Sequence, residues 1–156
     1  MPKFKVINND IDDVWLKNNR KLSKLLFYDY NFTVRREMSI FDYIKNKLYC
    51  GDLKDIKHLI ISCNGFAEFF QDTDLNRLLS GIKDIATSVQ GDVYFTFPFT
   101  IKNIIIEKMA NLIGFRYIAR TRNHINRLVN RHFDGYRIEC QEKFNQVAFS
   151  LERIAS

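Results

Sequence analysis

The stretch GDVYFTFPFTIKNIIIEKMANLIGFRYIARTR, residues 91–122, decides the fold class. Val93, Phe95 and Phe97 alternate with Tyr94 and Thr96, the period-two pattern of a strand. Pro98 has no N–H to give to a ladder, so the strand is expected to stop there. Thr100 is placed to cap a helix in which Ile101, Ile104, Ile105, Met109, Leu112 and Ile113 predict a core-facing stripe. Gly114 falls where a left-handed residue closes a helix, and Phe115 where an apolar residue folds back on the last turn. Phe115, Tyr117 and Ala119 then resume alternation. Strand, helix, strand makes the chain α/β.

Upstream, residues 3–7 read as a strand, and Asp10, Asp12 or Asp13 could cap a helix carrying Val14, Leu22, Leu25 and Leu26. A second strand is expected over 32–36. Ser39 then caps a helix with Ile40, Phe41, Ile44 and Leu48, ended by Cys50-Gly51-Asp52. The runs LIIS and FAEFF flank Asn64-Gly65, the dipeptide suited to a two-residue hairpin turn. Asp72, Thr73 or Asp74 caps a helix with Leu75, Leu78, Leu79, Ile82, Ile85 and Val89 on one face. Downstream, residues 123–132 form an arginine-rich connection, Asp134-Gly135 a turn and residues 136–140 a strand. Phe144, Val147, Phe149 or Ala148, Leu151 and Ile154 suit an amphipathic helix, so 141–156 is expected as a helical extension of one domain spanning 1–156.

The 156 residues carry 24 Lys and Arg against 18 Asp and Glu, a formal charge of +6. Such a balance suits an acidic partner surface, though solvated Lys and Arg account for it equally well. No apolar run has the length to span a bilayer, and the first residues lack the apolar core of a secretion signal. Cys50, Cys63 and Cys140 show no CxxC spacing and read as free thiols of a reducing, cytoplasmic compartment. His124 and His132 stand too far apart to ligate from one helical turn, so no metal site is read. Neither a phosphate-binding GxxxxGK[ST] nor a dinucleotide GxGxxG occurs.

EKMANLIGFRYIART and FDGYRIE resemble the later half of the GNAT N-acetyltransferase superfamily, over residues 59–139. The resemblance implies a mixed β-sheet splayed between two strands and flanked by helices. It also implies an acetyl-CoA loop rich in glycine, whose N–H groups cradle the pyrophosphate. Here that place holds Gln71-Asp72-Thr73-Asp74-Leu75-Asn76, with no glycine and two carboxylates opposing an anion. The reading is therefore a GNAT-like protein with a degenerate loop and no favoured cofactor: a non-catalytic binding or assembly protein, of the kind associated with phage particles. The alternative is an active acetyl-CoA-dependent N-acetyltransferase. In that case the resemblance gives Glu68 as base, Tyr117 as acid, and Gln71 and Asn103 as cofactor contacts. The bland readings are a solvated strand carboxylate for Glu68, a packed aromatic for Tyr117 and a solvated amide for Asn103.

Arg116, Arg120, Arg122, Arg127, Arg131 and Arg137, interleaved with Tyr117, Phe133 and Tyr136, are expected to form a partner-binding face. Planar guanidinium forks suit carboxylates and phosphates, and aromatics with Arg are enriched at protein interfaces. An acidic protein surface or phage assembly partner is favoured, with nucleic acid as a third reading and no membrane partner. The protein is expected to be cytoplasmic where made, and particle-bound if the assembly reading holds.

Overall fold

Cap chemistry and strand pairing organise the computed structural model, which describes residues 6–10, 33–54, 56–62, 67–89, 92–96, 98–100, 103–143 and 146–154. The expected helix through Val14 and Leu26 and the Asn64-Gly65 turn lie outside the described residues. The chain divides into two units, Met1–Lys54 and Asp55–Ser156.

In the first unit, β1 (Val6–Asp10) pairs in parallel with β2 (Thr33–Glu37), Val6 opposite Thr33 and Asp10 opposite Glu37. Ser39 caps α1 (Ile40–Lys45) as expected: its hydroxyl accepts from Asp42 N–H at 3.1 Å. That helix stops early, and Lys47 takes φ 51 in the turn that follows. Cys50-Gly51-Asp52 consequently lies inside a second short helix, α2 (Tyr49–Asp52), and is not a terminator. Buried Tyr43 donates its hydroxyl to Asp52 Oδ2 at 3.1 Å and tilts against Tyr49, ring centroids 6.5 Å apart.

The second unit is built on β3 (His58–Ser62) and β4 (Asp92–Thr96), paired in parallel with His58 opposite Asp92 and Ser62 opposite Thr96. The expected hairpin is thus corrected. Parallel neighbours need a crossover, and α3 (Asp72–Ser88) provides it, while Ala67–Phe69 forms one turn of 3-10 helix and not a return strand. The face of α3 is as expected: Leu75, Leu78, Leu79, Ile82 and Ile85 are buried. Pro98 opens a further strand, β5 (Pro98–Thr100), opposite Ala148. A first strand position tolerates the missing donor.

The expected C-terminal helix is a strand. β7 (Gln146–Arg153) lies between β5 and β6 (Tyr136–Lys143) and is antiparallel to both. Phe149 and Leu151 are buried on it at a period of two, as Val93 and Phe95 are on β4, a strand in contact with β7. The arginine-rich connection is likewise corrected to α5 (Arg122–His132). Thr121 caps it, its hydroxyl accepting from His124 N–H at 3.3 Å. Ile125, Leu128 and Val129 form its buried stripe, an i, i+3, i+4 set that the surrounding Asn and Arg residues hide.

α4 (Ile104–Leu112) departs most from expectation. Its cap is Asn103, not Thr100: Oδ1 accepts from Ile105 N–H at 2.9 Å and Ile106 N–H at 3.3 Å. Its closure follows the expected pattern, with Gly114 at φ 71, Gly114 N–H on Asn111 O and Phe115 N–H on Ala110 O. The stripe expected to enter the core instead faces outward; Ala110 is the buried residue of this helix. Three consecutive isoleucines leave no unique apolar side, and the helix rests on its small residue. The segment after it, residues 115–119, is not a strand.

α3 and α5 are pinned by polar contacts as well. Asn76 Nδ2 donates to the Asp72 carbonyl at 2.6 Å, which leaves Asn76 Oδ1 to accept from His132 Nε2 at 2.8 Å. Burial, aided by Arg131 and Lys83, holds the His132 pKa below its usual value. Because the folded pKa lies below the unfolded one, this contribution is complete above the unfolded value of about 6.5 and is lost as pH falls through the folded one. The melting temperature is therefore expected to drop between pH 8 and pH 5.5. Thermal melts of His132→Gln should show a shallower drop over the same interval, and an unchanged slope refutes the assignment.

Candidate functional site at the carboxyl edge of the parallel strands

Parallel pairing puts the carboxyl ends of β3 and β4 on one side, where open α/β sheets bind ligands. The chain leaving β3 runs through the 3-10 turn into α3; the chain leaving β4 runs through β5 into α4. The segment after α4 returns to the first of these, Ile118 N–H donating to Glu68 O at 2.7 Å.

A buried ion pair locks this return. The Arg120 side chain is 3% exposed, and its Nε donates to Asp72 Oδ1 at 2.9 Å. The same guanidinium donates to the carbonyls of Phe70 and Ile118. His124 Nε2 lies 2.7 Å from the other Asp72 oxygen. One carboxylate at the start of α3 thus pairs with a cation from the returning segment and has an imidazole from α5 beside it. Its position in the first helical turn also suits the positive end of the helix dipole.

Around this lock lie polar atoms with no partner. Glu68 Oε2 and Tyr117 Oη are buried and make no hydrogen bond. Such groups are costly unless something pairs with them, and they concentrate where ligands bind. An open cleft of about 420 Å³ is lined by Glu107, Asn111, Phe115, Arg116, Tyr117 and Ala119. Burial, then the nearby Glu107 carboxylate, pushes the Tyr117 pKa up, so the phenol keeps its proton at neutral pH. Aromatic rings continue from the cleft toward Glu68: Tyr117 to Phe115 at 6.0 Å, and Phe115 to Phe69 edge-on at 5.5 Å.

Glu68 and Tyr117, named from sequence as a base and an acid, therefore come into one neighbourhood through the Ile118–Glu68 bond. Gln71 is exposed at the N-cap of α3 and makes no capping bond with its side chain. Asn103 has its side-chain oxygen committed to capping α4. The six arginines of the expected partner-binding face lie on different elements. Arg120 is interior; Arg116 borders the cleft; Arg122, Arg127 and Arg131 project from α5; and Arg137 stands on β6, 3.8 Å from Glu139 and 4.0 Å from Glu152. Sequence reasoning missed Asp72 as the partner of Arg120, and Glu107 and Asn111 as a helical i, i+4 pair lining the cleft. The second had a local signal, the shared helix face; the first had none.

No protein-family model matches the chain, and no curated protein matches it in sequence. Solved structures do match in fold. A "possible exported protein" from Bordetella parapertussis superposes with a TM-score of 0.69 at 9% identity, covering 97% of this chain and 54% of that one. Magnesium protoporphyrin IX methyltransferase from Synechocystis PCC 6803, solved with bound SAH, gives 0.60 at 12% identity, covering 96% and 64%. An O-methyltransferase family protein from Burkholderia thailandensis gives 0.64 at 12% identity, covering 97% and 44%. The chain thus spans less than two thirds of the length of each. The chain shares its fold with these structures, two of which are described as methyltransferases, and its class is α/β. The N-acetyltransferase resemblance is overturned: a helical crossover stands where that fold needs a hairpin. The assembly, phage-particle and acetyl-CoA readings fall with it.

Proposed function

We propose that this chain carries the cofactor-binding fold of an S-adenosylmethionine-dependent methyltransferase, with its ligand site at the carboxyl edge of β3 and β4. One observation supports this above the others: two buried, unpartnered polar atoms, Glu68 Oε2 and Tyr117 Oη, occur at the edge where this fold class binds ligands. The residues fit the group. Glu68 is an acceptor without a donor, and a nucleoside with an amino-acid tail offers hydroxyl and ammonium donors. Phe69 and Phe115 offer aromatic surface to a purine. When bound, the cofactor supplies an electrophilic methyl group on a sulfonium. Tyr117, proton retained, has a hydrogen bond to give to a ligand in the cleft. The Arg120–Asp72 pair fixes the position of the segment bearing Tyr117 against that bearing Glu68.

Calorimetric titration of the full chain with S-adenosylhomocysteine tests the reading. A Kd on the order of 10–100 µM is expected, and Glu68→Gln should weaken it about tenfold, the loss of one charge-assisted hydrogen bond. Absence of heat at about 1 mM ligand, a loading at which even millimolar affinity registers, would overturn the proposal.

A further inference from the structure

Among the described residues, the outward side of α4 is an uncovered apolar surface. Ile104, Ile105, Met109 and Leu112 are 69%, 66%, 62% and 86% exposed, and Ile113, just past the helix, is 80% exposed. Helical geometry puts the first four on one side, opposite Ala110, with Lys108 among them. At roughly 200 Å² for a large side chain, the five present about 700 Å² of apolar surface. That exceeds the roughly 300–600 Å² of the largest patch on an ordinary monomer. It approaches the roughly 800 Å² that each partner gives to a standard interface.

We propose that a second copy of the chain covers this face, the two α4 helices packing antiparallel about a two-fold axis. The order of residues is self-complementary in that arrangement, as a two-fold interface requires. An axis passing between positions 108 and 109 sets Ile105 against Leu112 of the second copy. It lays the methylene stem of Lys108 along Met109, with the ammonium free to reach the rim. Parallel packing would instead oppose Lys108 to Lys108, a like-charge contact. The proposal does not depend on the cofactor reading.

Sedimentation equilibrium of the full chain over about 1–100 µM, the range of moderate affinities, tests it. The expected species is a dimer of twice 18.6 kDa. Leu112→Glu should raise the dimer Kd at least about thirtyfold, the threshold of an interface hot spot. Because Leu112 is 86% exposed, the far-UV circular dichroism of that variant should be unchanged, and its melt should fall only by the stabilisation that association gives the wild type. Ile154→Glu, at a residue 60% exposed elsewhere, should leave the dimer intact. A wild-type chain that stays monomeric overturns the proposal, whether or not it binds phosphatidylserine vesicles. So does a dimer that survives Leu112→Glu, or one that Ile154→Glu dissociates equally.

Discussion

Arg120→Met is expected to destabilise the folded chain by about 3 kcal/mol, the low end for breaking a buried ion pair. The low end applies because the abandoned partner, Asp72, has a side chain 45% exposed and is rehydrated in place. The carbonyls of Phe70 and Ile118 lose a donor as well, and a buried acceptor without a donor costs about 1–3 kcal/mol. For a chain of this length each kcal/mol moves the melting temperature by about 2–4 °C, so a fall of roughly 6–12 °C is expected. Arg120→Lys should recover little. A single ammonium cannot address the Asp72 carboxylate and the Phe70 carbonyl with the fixed fork of a guanidinium. A melt within about 2 °C of wild type for either variant, less than one kcal/mol, would show that the pair is dispensable.

Phe133→Ala is expected to cost about 3–5 kcal/mol, the range for deleting a fully buried ring. Phe133 is 1% exposed and joins the last turn of α5 to the sheet. It lies stacked on Phe95 of β4 at 5.9 Å and meets Tyr136 of β6 edge-on at 5.7 Å. Three elements share the cavity its loss would leave, and neither strand can move into it without giving up its register. Phe133→Leu keeps most of the volume and should cost about 1–1.5 kcal/mol. In urea titrations the midpoint should fall for both variants while the slope stays constant, as befits a loss of packing and not a change of native compactness. Equal midpoints for Ala and Leu would mean that ring volume is not what counts there.

What the sequence disclosed and what it withheld divide by distance along the chain. The buried face of α3, the Ser39 cap and the Gly114 closure rest on residues within a turn of each other, and each is as the sequence implies. Residues 144–154 satisfied two periods at once: Val147, Leu151 and Ile154 at helical spacing, Val147, Phe149 and Leu151 at strand spacing. Only the partner strand β6 settles between them. Asn64-Gly65 advertised a local hairpin, whereas the true neighbour of β3 begins at Asp92. α5 was hidden because its polar side outnumbers its three-residue buried stripe. At the candidate site, Glu68 and Tyr117 were legible only through a resemblance to another fold. The contact that organises the site joins residues 48 positions apart, and nothing local announces it.

The place of β7 in its sheet has a consequence for the order of synthesis. Among the described strands it comes last, yet both β5 and β6 are hydrogen-bonded to it and not to each other. While a ribosome adds residues at about 5–20 per second, β5 emerges first and then β6, each with an edge that has nothing to pair with. Until residues 146–153 clear the exit tunnel, those two edges are open to other chains, and a stall in that window would leave them so. Closure then comes from a single strand inserted between two waiting ones, making the sheet complete in one late step.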